Sequence, residues 1–171
     1  MTPTAIIAPS SPKIKSFHEL ERTLQTARNA GRRVVLCHGV FDLMHPGHIQ
    51  HFKEARRQGD VLVVTVTPDR FVRKGPGRPM FNQRLRLETI AALADVDYTA
   101  LNEWPTAVET ISRLKPHVYV KGSDYANPVD DVTGRITDEQ AAVEAVGGTI
   151  FFTDGEVFSS SHLINRFFSS Y

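Results

Sequence analysis

Apolar and polar positions along this chain switch repeatedly between a helical and a strand period. Phe17, Leu20, Leu24 and Ala27 keep helical spacing, Ser16-Phe17-His18-Glu19 fits a capping box, and Gly31 closes the run. Arg33 to Cys37 is short and apolar on both faces, which predicts a strand inside a parallel sheet. A polar helix is expected from Pro46 to Gln58, ended by Gly59, and a second buried strand from Asp60 to Thr67, ended by Pro68-Asp69-Arg70. Gly, Pro and basic residues fill Arg73 to Pro79, which predicts a loop. Beyond it the pattern gives a helix over Asn82–Ala94, with Leu85, Ile90 and Leu93 on its apolar side, and a strand over Val96–Leu101. Trp104-Pro105 leads into a helix ending at Leu114. His117–Lys121 reads as a fourth strand with its turn at Gly122-Ser123-Asp124-Tyr125, and Asn127–Gly134 as a loop. A helix over Asp138–Val146, a strand over Thr149–Thr153 and a helix over Ser159–Phe168 complete the series.

Strand and helix alternate throughout, with crossovers long enough for parallel pairing. The expected fold is therefore α/β, a single Rossmann-like doubly wound domain with a five-stranded parallel sheet and helices on both faces. It should occupy residues 13–171, behind a mobile leader of residues 1–12 that holds three prolines and little periodicity. Such sheets bind ligands beyond the carboxyl ends of their strands. Four groups fall there: His38-Gly39 with Asp42, His45 and His48; Thr67 to Lys74; Lys121 to Asp124; and Ser159 to Ser161.

Composition narrows this picture a little. With 171 residues, 41% hydrophobic and 23% charged, the chain suits one ordinary globular domain. It has neither an apolar run of membrane-spanning length nor a secretory signal at its start, so no membrane partner is expected. The single cysteine, Cys37, excludes an intramolecular disulfide and suits a reducing cytoplasm; in an apolar strand it reads as a core residue, not a nucleophile. The formal net charge is only +1, but residues 51–90 hold nine Lys/Arg against four acids, and residues 91–160 hold four against twelve. A local basic region can take a polyanion without making the chain a nucleic-acid binder, and Arg56, Arg57 and Arg86 also read as a solvated helix face.

The stretch Cys37–His48 brings two histidines, His45 and His48, to a strand-to-helix junction where Pro46 fits the first helical turn. Unpaired N–H groups at that helix start favour an anion. As zinc ligands the histidines lack a third partner at a known spacing, and no Ser-His-Asp order is present. They read either as turn-capping structural residues or as donors to phosphate oxygens.

Gly39-Val40-Phe41-Asp42-Leu43-Met44-His45-Pro46-Gly47-His48 resembles the signature of the cytidylyltransferase-like nucleotidyltransferase superfamily, with His45-Pro46-Gly47-His48 as its H-x-G-H element. Val120-Lys121-Gly122-Ser123-Asp124-Tyr125 is similar to the V-K-G-x-D-Y element of adenylyltransferase domains acting on heptose phosphates. Phe158-Ser159-Ser160-Ser161 sits where the family has a Ser/Thr-rich element opening the last helix. The resemblance covers residues 14–168 and extends to glycerol-phosphate cytidylyltransferases.

It implies transfer of a nucleoside monophosphate from ATP or CTP to a phosphorylated sugar or polyol, with release of pyrophosphate and Mg²⁺ as cofactor. His45, His48 and Lys74 would be catalytic. Gly39, Val40, Phe41, Asp42, Gly47, Arg56, Lys121, Gly122, Asp124, Phe158, Ser159, Ser160 and Ser161 would bind the nucleotide. Lys74 and Arg84 would meet the acceptor, and no protein-ligated metal is expected. Two departures stand out: Arg56 takes the place of a family lysine, and Thr153–Phe158 lacks the arginine of the cytidylyltransferases' R-T-E-G-I-S element. That second departure weakens the cytidylyltransferase reading, and the Lys-Gly-Ser-Asp-Tyr segment favours the sugar-phosphate adenylyltransferase branch. A polyol-phosphate cytidylyltransferase, an acyl-intermediate synthetase of the same superfamily and a non-catalytic nucleotide-binding module are the alternatives. The resemblance also implies a homodimer, and fusion to or pairing with a sugar kinase.

Overall fold

The computed structural model describes residues 11–126, 135–155 and 160–168. Five parallel strands, β1 (Val34–Gly39), β2 (Val61–Val66), β3 (Tyr98–Leu101), β4 (Val118–Lys121) and β5 (Thr149–Phe152), pair in the order β3-β2-β1-β4-β5. The helices are α1 (Phe17–Asn29), α2 (Pro46–Arg56), α3 (Gln83–Ala91), α4 (Val108–Leu114), α5 (Ile136–Ala145) and α6 (Ser160–Phe168). The strand order reverses between β1 and β4. That crevice is where a doubly wound sheet takes its ligand.

Side chains of β1 alternate across the sheet and split the interior in two. Val34 and Leu36 join Phe17, Leu20 and Leu24 of α1, Ile111 and Leu114 of α4 and Val143 of α5 on one face. Val35 and Cys37 join Phe52 and Ala55 of α2 and Leu87 and Ile90 of α3 on the other. The expected capping box is present: the Ser16 hydroxyl accepts from the Glu19 N–H, and the Glu19 carboxylate accepts from the Ser16 N–H at 2.9 Å. Lys13 and Lys15 exchange backbone hydrogen bonds of 2.9 Å with Thr99, so the segment before α1 lies along the outer edge of β3.

Several predicted bounds shift. β1 runs on to Gly39, α4 begins at Val108 and not at Pro105, and β3 starts at Tyr98. The Asn102 amide donates to the Trp104 and Thr106 carbonyls, which holds the chain before α4 in a turn. The apolar side of α3 is also differently phased. Leu85 is exposed, whereas Leu87 is buried and Arg86 is only 1% exposed. The expected loop over Asn127–Gly134, Phe158 and Ser159 lie outside the described residues, as do residues 1–10 of the leader.

Candidate active site

A cavity of about 550 Å³ opens at the carboxyl ends of β1 and β4. The turn after β1 supplies much of its wall. Phe41 takes a left-handed φ of 50° and folds its ring back over Gly39, where a Cβ would lie 2.9 Å from the Phe41 Cζ. Any side chain at Gly39 would push that ring away. Behind Phe41 stand the rings of His48 and Phe52, at 5.5 and 5.2 Å between centroids.

Extended backbone at His45 makes it the N-terminal cap residue of α2, with Pro46 in the first turn. The side chain of His45 thus stands over the helix start, and His48, one turn on, stacks against it at 3.8 Å between centroids and 24° between planes. His51, a further turn on, shares a 3.0 Å hydrogen bond with the Thr153 hydroxyl at the end of β5. Burial lowers the pKa of all three. It pushes His48 down to about 3, with the positive charges of His45, His51 and Lys74 adding to the effect, and His51 to about 4. His38, at the end of β1, is likewise pushed down to about 3, chiefly by burial, and lies between the Thr65 and Thr67 hydroxyls. The neutral imidazoles keep one N–H each to donate. The Nδ1 of His48 is buried and meets no hydrogen-bond partner among the described residues.

Of the sequence-predicted residues, Gly39, Val40, Phe41, Asp42, His45, Gly47, His48, Lys74, Lys121, Gly122 and Asp124 all line this cavity. Two of them, Asp42 and Lys121, are engaged by other side chains of the protein. Asp42 is 3% exposed; its carboxylate accepts from the Arg78 guanidinium at 2.7 Å and from the Phe81 N–H at 3.1 Å. Burial opposes its ionisation, but the Arg78 and backbone donors outweigh that and hold it below the usual carboxylate range. Asp42 is thus a clasp on the loop after β2. Lys121 forms a 3.1 Å ion pair with Glu139 and rests over the Tyr125 ring, 4.1 Å from its centre. Lys74 rides on the clasped loop, and its ammonium is held below its ordinary pKa by desolvation and by Arg78.

Arg56 and Arg84 do not reach the cavity. Arg56 pairs with Asp97 at 3.2 Å and donates to the Gly59 carbonyl, at the opposite end of the strands, because it closes α2 while the histidines open it. Arg84 pairs with Glu88 at 2.6 Å on an exposed face of α3. Ser160 opens α6.

Arg86, expected on a solvated face or against a phosphate, takes neither position. Its guanidinium donates to the carbonyls of Val40, Thr67 and Phe81 and to the Asp69 carboxylate, at 2.5 to 3.0 Å. It knots together the turns after β1 and β2. Bonds to a charged donor contribute about 1.5–3 kcal/mol each, so an arginine here is cheaper than three unsatisfied carbonyls. His51, Arg78, Arg135 and Glu139 were also missed. His51 at least had a signal, the three-residue repeat from His45 and His48.

A family model described as cytidylyltransferase-like matches residues 36–166. The chain belongs to that family. Membership in the cytidylyltransferase-like family places it among the nucleotidyltransferases. The bifunctional protein HldE of Aliarcobacter butzleri (strain RM4018) is 41% identical over 142 residues, covering 81% of this chain and 29% of the relative. The bifunctional protein HldE of Trichlorobacter lovleyi is 37% identical over 183 residues, covering 100% of this chain and 35% of the relative. The chain therefore spans about a third of the length of these curated relatives. Among solved structures it resembles the lipopolysaccharide core biosynthesis protein from Thermoplasma volcanium GSS1, with a TM-score of 0.59 and 29% identity over 75% of this chain and 100% of that one. A pantoate-beta-alanine ligase from Francisella tularensis, at 16% identity and a TM-score of 0.60 over 89% of this chain and 72% of that one, shares the fold alone.

Among the described residues no group of three or more His, Cys, Asp or Glu side chains could hold a metal ion, and no helix is long and apolar enough to cross a membrane. The polar wall consists mostly of donors (His, Lys and Thr), and Asp42 is committed to Arg78. That set suits an anion and does not suit a protein-held hard cation.

Proposed function

We propose that this domain transfers the adenylyl group of ATP to the phosphate of a heptose-like sugar phosphate. An acceptor phosphate oxygen forms the new bond to the α-phosphorus. The bond from that phosphorus to its β-bridging oxygen breaks, and pyrophosphate leaves with the electron pair. The attacking group is already an anion, so no general base is needed. The work lies in positioning and in stabilising negative charge on the reacting phosphates.

The stacked pair His45–His48 at the start of α2 carries this reading. Two neutral imidazole donors, a helix N-terminus and Lys74 converge on one end of the cavity, where a triphosphate would be met by fixed dipoles. His48 Nδ1 lacks a partner among the described residues and is ready to take a phosphate oxygen. Mg²⁺ would arrive on the triphosphate, held by its oxygens and water, and supply charge neutralisation there. The Val-Lys-Gly-Ser-Asp-Tyr segment after β4 favours adenylyl over cytidylyl transfer and a heptose phosphate over a polyol phosphate. A buried free thiol at Cys37 suits a reducing cytoplasm. The bifunctional names of the relatives, with a domain of this kind spanning about a third of them, support pairing with a second activity, and a sugar kinase is the partner proposed.

Incubation with ATP or CTP and a panel of sugar phosphates, followed by pyrophosphate release, tests the reading. ATP with a heptose phosphate should give the fastest release, and His48→Ala should abolish it with the melting temperature changed by only a few degrees. Release with no pair would reduce the domain to a nucleotide-binding module. Unfolding of His48→Ala would make that histidine a structural residue.

A further inference from the structure

The cavity has a second end. The histidines stand on α2, on one face of the sheet, whereas Thr106 before α4 and Arg135 and Glu139 of the α5 segment stand on the other. Glu139 is only 4% exposed yet lines the cavity. Two donors converge on one of its oxygens: the Tyr119 hydroxyl donates to Oε2 at 3.0 Å, and the Lys121 ammonium lies 3.1 Å from the same atom. Oε1 takes no hydrogen bond from the described residues and is not sealed from the cavity. Burying a carboxylate costs several kcal/mol unless it is fully partnered, so an oxygen left open on a buried carboxylate points to a ligand that donates to it.

The charge balance selects the ligand. Lys121 and Glu139 neutralise each other, so the pair itself does not offer the net positive charge that a phosphate needs, and Arg135, the other cation on this side, donates to the Pro105 carbonyl at 3.3 Å. It offers instead one open acceptor, Glu139 Oε1, and one ammonium, held on the other oxygen of the same carboxylate at 3.1 Å, beside an aromatic ring, Tyr125. A vicinal diol matches that pair, because one hydroxyl can donate to the open carboxylate oxygen while its neighbour accepts from the ammonium. We propose that Glu139 and Lys121 form a diol-reading subsite, which sets the preference of this domain for a substrate with adjacent sugar hydroxyls. The diol comes from the acceptor sugar or from the ribose of the nucleotide. The inference rests on the nucleotidyl-transfer reading for its geometry, but binding alone tests it.

Two matched pairs of probes separate the sources in calorimetric titrations: mannose 1-phosphate against ethyl phosphate, and α,β-methylene-ATP against its 2′,3′-dideoxy form. In the unaltered chain the diol-bearing member of one pair should bind at least about tenfold tighter than its partner, since a site built to bond a hydroxyl rejects the analogue lacking it. Glu139→Gln should reduce that preference to within about twofold while leaving the affinity of the diol-free member unchanged; the loss would come from the donor–acceptor pattern at one wall. The pair whose preference collapses identifies the source of the diol. Where Glu139→Gln fails to fold, Lys121→Met should likewise reduce the preference to within about twofold. Equal binding within both pairs by the unaltered chain, or a preference that survives both substitutions, overturns the subsite. Absence of pyrophosphate release with intact diol discrimination would sink the catalytic reading and leave this one standing.

Discussion

Four histidines, His38, His45, His48 and His51, share the wall of one cavity, and burial lowers the pKa of each. This has a consequence for stability. The folded state refuses protons that the unfolded chain accepts from about pH 6.5 downwards, so the unfolded state binds more protons across that window. Stability contributed by the neutral rings is therefore complete above pH 6.5 and is lost as pH falls toward the folded values, about 3 for His38 and His48 and about 4 for His51. The melting temperature should fall steadily between pH 6.5 and 4. His51→Gln removes one proton-linked group while keeping a partner for the Thr153 hydroxyl, and its melting temperature should fall less over the same range. A scan with identical slopes for both proteins would show that His51 titrates normally. The sequence announced two of these rings through the H-x-G-H spacing. His38 was legible from its place at the carboxyl end of the first strand, whereas His51 was not, because only the three-residue repeat hinted that the second turn of α2 opens onto the same space.

Elements divide sharply by how well the sequence foretold them. α1 and the central strands followed from the capping box and the apolar runs, since their packing needs only local amphipathicity and burial on both faces. α3 did not. An arginine counts as polar in any periodicity, yet Arg86 faces inward because the turns after β1 and β2 present carbonyls with no other donor. The loop after β2 holds the same lesson. Its composition predicted irregular chain, with Gly75 and Gly77 at φ of 99° and 69°, but not that Arg78 would insert to 6% side-chain exposure against a fully buried Asp42 carboxylate. Lys74 reaches the cavity on this clasped segment. Arg78→Ala leaves Asp42 buried without its cation, and breaking a buried pair this way costs about 3–5 kcal/mol, locally concentrated here. Limited proteolysis within residues 73–81 should accelerate several-fold in that variant, with a raised KM for ATP. Unchanged cleavage would mean that the loop is held by something other than the clasp.

At the scale of the whole molecule, the parallel sheet and its helices on both faces were readable from the alternation of periods. The order β3-β2-β1-β4-β5 was not, since no strand carries a local mark of its neighbours. It matters most, because it creates the crevice between β1 and β4 that gathers groups from distant parts of the chain. The central strand also holds a probe of global opening. Cys37 has no accessible surface, and burial raises its thiol pKa, so a thiol reagent should modify it only as fast as the domain unfolds. Its labelling rate should match the unfolding rate measured by fluorescence of Trp104; much faster labelling would reveal a local opening at β1.

The strap of residues 13–15 along β3 gives the fold a property unrelated to its chemistry. An outer strand with unspent N–H and C=O groups invites a second molecule to extend the sheet. Here the Thr99 N–H and C=O on that side are already engaged by Lys13 and Lys15, and the Lys13 ammonium is tied down on the Leu93 carbonyl at 2.8 Å. A short parallel segment ahead of the first helix thus keeps this side of the sheet from serving as a template for a second molecule.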